Sequence, residues 1–277
     1  EGGKTAEMKA KAGALGEGVS AGARVRIAGG VMAGVDGCFA ININTMSPAG
    51  TLEICHTEAM SAADHFTITR QGSGGHGSAP QNASDPVSSL AALIDAVQNI
   101  PAREFSALDR CVVNIGTIET PGSRFNVIPA NVVVTGTVRT YDPAVREKVF
   151  EVMEARVNAA ASLYGCTGTL VREQGYDAVI NDRAMSQRAA AMAEGLLGKD
   201  AVTYSDTPDM GSEDVGYFFQ KAPGTLAWLG VAPAEADVFP GTTRFIPLHS
   251  PYMHVEPTAL KYGVACHVAF ALDYLNN

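Results

Sequence analysis

The chain has 277 residues, 46% apolar and 18% charged. That composition excludes disorder and is ample for one large domain or two ordinary ones. Acidic residues outnumber basic ones 29 to 20, a net charge of −9 and the opposite of what a phosphate-backbone binder carries, so no nucleic-acid partner is expected. No apolar run reaches the roughly 18–20 residues of a spanning helix, so no membrane partner is expected either.

The chain opens on Glu1-Gly2-Gly3 and not on Met, which reads as a sequence entered part-way. Residues 4–15 have helix-forming composition and meet the breakers Gly16, Gly18 and Gly22. Residues 36–43 read as a buried strand and residues 65–71 as an alternating one. Residues 85–100 read as a helix, with Asp85 as N-cap, Pro86 in the first turn and Leu90, Leu93, Ile94 and Val97 as its apolar stripe. Strands are expected over 110–119 and 126–139, the second interrupted or preceded by Pro129. Asp142 then caps a helix with the stripe Val145, Val149, Val152, Met153 and Val157, and 168–173 is a strand.

That order, β-α-β-β-α-β within residues 65–178, predicts a ferredoxin-like unit with two helices on one face of a four-stranded antiparallel sheet. Beyond it come a helix over 183–197, a strand at 201–204, a helical turn after Glu213, a strand over 225–230 and a last helix from Pro257 to about residue 275. This alternation suggests a parallel α/β layer. The most economical organisation is one α/β domain made of 1–64 and 179–277, with 65–178 inserted. The outer strands of a βαββαβ unit are neighbours, so its two ends can lie close together. The five cysteines, Cys38, Cys55, Cys111, Cys166 and Cys266, form no Cys-x-x-Cys pair and read as small buried hydrophobes in a reducing, cytoplasmic setting.

There is no His-Glu-x-x-His motif, Walker loop or Gly-x-Ser-x-Gly elbow. Four clusters remain. His76 sits in the glycine-rich run from Gly72 to Pro80, where backbone can approach a ligand closely; alone, a turn with a solvated His is the simpler reading. Asn126, in the run Arg124 to Pro129, and Arg139 offer an amide and a guanidinium fork that suit a carbonyl and a carboxylate; alone they read as a turn and a surface Arg. Glu213 and Asp214 suit the start of a helix. His249, in Leu248-His249-Ser250-Pro251, lies in a loop before the last helix, as a metal ligand can.

Taken in order, GSGGHGSAPQNASDPV, FNVIPANVVVTGTVRT, MGSEDVGYF and LHSPYMHVEPTAL resemble segments of the aminoacylase/carboxypeptidase-type metallohydrolases, in the branch of hippurate hydrolase and the indole-acetyl-amino-acid hydrolases. The resemblance covers essentially the whole chain. It implies an α/β catalytic, metallopeptidase-like domain with an inserted ferredoxin-like lid that forms a homodimer. It implies two divalent metal ions, zinc or manganese, and a small N-acyl amino acid or peptide as substrate. His76 matches the lid His that polarises the substrate carbonyl, often in the partner subunit's site. Asn126 and Arg139 match positions that hold the carbonyl and the free carboxylate. Glu1 matches the second Glu of a Glu-Glu-Gly-Gly segment, a metal ligand, and His249 matches the His ligand near the C-terminus. Glu213 and Asp214 match a supporting segment beside the site.

Two departures accompany the match. The family's first ligands and its general base belong upstream of Glu1, and where a further ligand His is expected this chain has Asn42, a poor ligand for a borderline-soft ion. In such a site two metal ions about 3.5–4 Å apart polarise an amide carbonyl and activate a water, and a carboxylate shuttles the proton. The implied function is metal-dependent hydrolysis of an amide bond, with fewer metal ions or none held by this chain alone. One alternative is a non-catalytic dimeric relative, which Asn42 motivates. Another is a plain ferredoxin-like interaction module, in which His76, Asn126 and Arg139 would not converge.

Overall fold

The computed structural model describes residues 22–233 and 246–276. The helix expected over 4–15 and the candidate ligand Glu1 lie outside the described residues. Helix α1 (Gly22–Ala28) is followed by β1 (Cys38–Pro48), the short strands β2 (Leu52–Cys55) and β3 (Glu58–Met60), and the long strand β4 (Ala62–Gln71). Next come β5 (Gly75–His76), helices α2 (Leu90–Gln98) and α3 (Ile100–Glu104), β6 (Cys111–Glu119), β7 (Val127–Ile128), β8 (Asn131–Thr140), α4 (Pro143–Ser162) and β9 (Thr167–Glu173). The chain then returns through β10 (Val179–Ile180), α5 (Arg183–Leu197), β11 (Val202–Ser205), α6 (Gly216–Phe219), β12 (Gly224–Ala232) and α7 (Leu260–Asn276).

The inserted unit is an antiparallel sheet in the order β6-β8-β4-β9. Its first and last strands pair directly, His65 opposite Glu173 and Gln71 opposite Thr167, so the chain enters and leaves the unit side by side. This is the expected ferredoxin-like topology. Alternation along β4 puts Phe66 and Ile68 on the helix face, where they join Leu93 and Val97 of α2 and Met153 and Val157 of α4 in one core. Asp142 caps α4 as its position suggests: Oδ1 accepts from the N–H groups of Ala144 and Val145 at 2.6 and 3.0 Å.

The helix expected from Asp85 begins later, at Leu90. The Asp85 carboxylate instead accepts from the Val87 N–H and the Ser88 hydroxyl, at 2.8 and 2.6 Å, and so closes a separate turn ahead of the helix.

The second sheet has the order β1-β12-β2-β11. It is mixed where a parallel layer was expected: β1 pairs parallel with β12, and β2 with β11, while β12 and β2 are antiparallel. Only residues 49–51 separate β1 from β2, too short a connection for a parallel crossover, so β2 runs back. Strand β1 is half-buried along Cys38–Asn44, not buried, because among the described residues it is an edge of the sheet. Helices α5 and α7 cover this sheet, with Met185, Ala189, Cys266 and Phe270 packed on Leu52, Ile54 and Leu229. The fold is thus an α/β layer carrying an inserted ferredoxin-like lid. No helix among the described residues is long and apolar enough to cross a membrane.

Candidate functional site

The glycine-rich loop and the Asn126 loop are stitched together by the two shortest strands. Gly75 pairs with Ile128 and His76 with Val127. The Gly77 N–H donates to the Asn126 carbonyl at 2.9 Å, and a Cβ at Gly77 would lie 2.9 Å from that same oxygen, so only glycine lets the loops meet. His76 and Asn126 are therefore neighbours, and both are exposed. The Nδ1 of His76 accepts the Ser78 N–H at 3.1 Å and lies 2.8 Å from the Ser78 hydroxyl. A backbone N–H can only donate, so the neutral ring carries its proton on Nε2. The exposed ring thereby offers an Nε2–H donor with its tautomer set by the chain.

Arg139 lies elsewhere, near the end of β8, where the lid meets the α/β layer. Its Nη1 donates to the Ser212 hydroxyl at 3.0 Å, a single hydrogen bond among the described residues for a five-donor guanidinium. Burial pulls its pKa down and Asp64 opposes this; the group remains a cation. The Ser212 segment is clamped from the lid side. The Ser61 N–H donates to the Gly211 carbonyl at 2.8 Å, the Ser61 hydroxyl to the Met210 carbonyl at 2.8 Å, and the Tyr141 hydroxyl to the Asp209 carbonyl at 2.5 Å.

Glu213 and Asp214 were expected at the start of their own helix, but α6 begins at Gly216 and the two carboxylates reach away from it. Asp214 Oδ2 accepts the Ala23 N–H of α1 at 2.8 Å, and Glu213 Oε1 accepts from the Asn42 amide at 3.1 Å. Burial raises the Glu213 pKa, the Asp214 charge adds to this, and the Asp214 backbone and Asn42 bonds offset only part. Asn42, where the family resemblance implies His, is thus committed to Glu213 by its amide nitrogen and to the Ile43 N–H by its oxygen.

His249 is exposed and adopts a left-handed backbone, φ 67°, which is uncommon outside glycine. Its neighbour Leu248 packs against the cluster of Trp228, Leu226 and Met60. The structure thus pairs His76 with Asn126, and Arg139 with Ser212 beside Asn42 and Glu213. Among the described residues no hydrogen bond or ion pair joins the two groups to each other or to His249. Nor do three or more His, Cys, Asp or Glu side chains converge there as a metal centre. With Asn42 bound to Glu213, the described residues do not by themselves fit two metal ions.

Ser61, Tyr141, Asp64, Arg146 and Asp177 escaped the sequence reading, and Ser212 entered it only within the run MGSEDVGYF. The one local signal was Asp64, a carboxylate inside a strand; its partner Arg146 is 82 residues away.

Residues 61–164 match the M20 peptidase dimerisation domain. The chain is 30% identical over 256 residues to thermostable carboxypeptidase 1 of Saccharolobus solfataricus, an alignment covering 92% of this chain and 62% of that protein. The chain is similar to carboxypeptidases and amidohydrolases over most of its length, and to the M20 family through residues 61–164. The N-acetylcysteine deacetylase of Bacillus subtilis is 31% identical over 227 residues, covering 82% of this chain and 59% of that protein. Among solved M20 structures, the Bacillus subtilis YxeP protein, described as a dinuclear metal-binding peptidase, matches with a TM-score of 0.68 and 25% identity over 90% of this chain and 61% of its own. The chain thus spans about three-fifths of the length of these relatives.

Proposed function

We propose that the protein carrying this chain hydrolyses amide bonds in N-acyl amino acids or small peptides, with divalent metal ions, zinc or manganese. The observation that carries this reading is His76, exposed in the M20 dimerisation domain beside Asn126 and held as the Nε2–H tautomer by Ser78. An Nε2–H donor stabilises negative charge developing on a carbonyl oxygen. Asn126 adds an amide for the same carbonyl, and Arg139 pairs with the carboxylate of the amino-acid half. Glu1 and His249 are the metal ligands this chain contributes.

In the same reading the α/β domain comprises 1–64 and 179–277 and the lid 65–178, with the first lid strand, β4, beginning just ahead of that boundary at Ala62. A homodimer through the lid explains why His76 and Arg139 lie apart in one chain: His76 serves the partner's site. The five free cysteines suit a cytoplasmic protein.

The test is amine release from N-acetyl and N-aroyl amino acids by the protein loaded with zinc or manganese. Release that chelator abolishes and either ion restores is expected; no release with either ion contradicts the reading.

The bond between Asn42 and Glu213 favours a second reading, a non-catalytic dimeric relative. Asn42→His discriminates. A protein inactive with Asn42 and active with His supports the second reading; high activity with Asn42 in place excludes it.

A further inference from the structure

We propose that Arg146 is a positioning residue that fixes the angle of the lid over the α/β layer by fastening together the two strands of chain that connect them. Its consequence for turnover rests on the amide-hydrolase reading; its structural consequence does not.

The lid is entered at Met60–Ala62 and left between Glu173 and Val179. These crossings touch: a Cβ on Gly175 would lie 2.1 Å from the Ala63 carbonyl. Arg146, in the first turn of α4, is 7% exposed, and Asp64, two residues into β4, is 1% exposed. Arg146 Nε and Nη2 reach the two Asp64 oxygens, each at 2.7 Å, as a bidentate fork. Arg146 Nη1 reaches Asp177 Oδ1 at 2.7 Å, and Nη2 the Tyr176 carbonyl at 3.3 Å. Asp64 also accepts the Gly175 N–H at 3.0 Å and Arg172 Nη2 at 3.2 Å. One guanidinium therefore holds the entering strand, the leaving segment and the start of α4.

The same leaving segment is tied to the α/β layer. Asp177 Oδ2 accepts from Gln220 Nε2 at 3.1 Å, the Asp177 N–H donates to the Tyr217 hydroxyl at 3.3 Å, and that hydroxyl donates to the Gly175 carbonyl at 3.4 Å. Tyr217 belongs to α6, and its N–H donates to the Asp214 carbonyl at 3.1 Å. Ser212 and Glu213, just before, are the residues that meet Arg139 and Asn42. A cleft of about 1130 Å³ runs along this joint, lined by Arg146, Asp177, Gln220 and Tyr141 among others, so the joint is not packed solid and the ties set its angle. Breaking even against desolvation, a buried ion pair is a poor source of stability compared with apolar packing, whereas a bidentate fork fixes direction closely.

Asp177→Ala tests this while leaving the Arg146–Asp64 fork inside the lid intact. Hydrogen exchange on the folded protein should show amides in 174–178 and 209–217 exchanging at least about tenfold faster, with the strands β4, β8 and β9 as protected as before. Arg146→Met should show the same at both segments. Where the protein turns over an N-acyl amino acid, KM should rise about fivefold or more with kcat at saturation changed less than about twofold, because only the fraction of correctly angled lids is reduced. Unchanged exchange at either segment in Asp177→Ala overturns the proposal. So does loss of protection in the lid strands together with the linker, which marks a role in lid stability alone. A protein without amidase activity leaves the exchange result to decide.

Discussion

At the scale of single residues, the site depends on which atoms are already engaged. His76 presents Nε2–H because Ser78 occupies Nδ1. Ser78→Ala keeps the backbone N–H and should reduce turnover only a few-fold, about 1 kcal/mol for one hydroxyl bond, a difference that kcat measurements resolve. Gly77→Ala is more severe. The added Cβ meets the Asn126 carbonyl at 2.9 Å and pushes apart the strands that carry His76 and Asn126. Activity should fall while the thermal midpoint barely moves, because the affected pairing lies outside the lid core. The sequence marks these residues by type and spacing. It does not show that Asn42 and Glu213, 171 positions apart, satisfy each other, because that contact exists only once β1 and the segment before α6 have been folded together.

At the scale of elements, long periodic patterns are legible and short ones are not. The stripe of α4 and the strands of the lid follow from periodicity, and the buried Met153 is where that pattern carries most energy. Met153→Ala should cost about 2–5 kcal/mol in chemical denaturation, the usual range for such a truncation. Strand β2, four residues long, shows no period, and β5 and β7 are two-residue strands that exist only as partners of one another.

The leaving segment of the lid carries a pH signature. Burial would raise the Asp177 pKa, but hydrogen bonds from Arg146 and Gln220 and the charge of Arg146 outweigh it and hold the carboxyl below its usual value. A depressed folded-state pKa contributes stability above the unfolded value, about 4, that is lost as pH falls through the folded value. The thermal midpoints of the parent and Asp177→Asn should therefore differ near pH 7, and the difference should shrink as pH falls below the ordinary Asp value of about 4. A constant difference across that range would contradict this assignment.

At the scale of the whole molecule, the βαββαβ order makes the insertion legible because its first and last strands must be neighbours. The mixed direction of the second sheet is not legible, because the chain does not announce that β12 will lie between β1 and β2. The separation of His76 from Arg139 is likewise invisible in sequence and has a consequence for assembly. If each site combines His76 of one subunit with Arg139 of the other, then His76→Ala and Arg139→Met are each inactive as homodimers. Exchanged subunits should recover about a quarter of the parent activity, since half the dimers are mixed and each holds one intact site. No recovery, with mixed dimers present by mass, would place both residues in the service of one chain.

The most direct test of the amide-hydrolase account is the kcat of His76→Ala toward an N-acyl amino acid, in the metal-loaded protein. Removing a donor from a developing oxyanion should lower kcat by about 100- to 1000-fold, with KM and the thermal midpoint close to the parent. A kcat equal to that of the parent would contradict it.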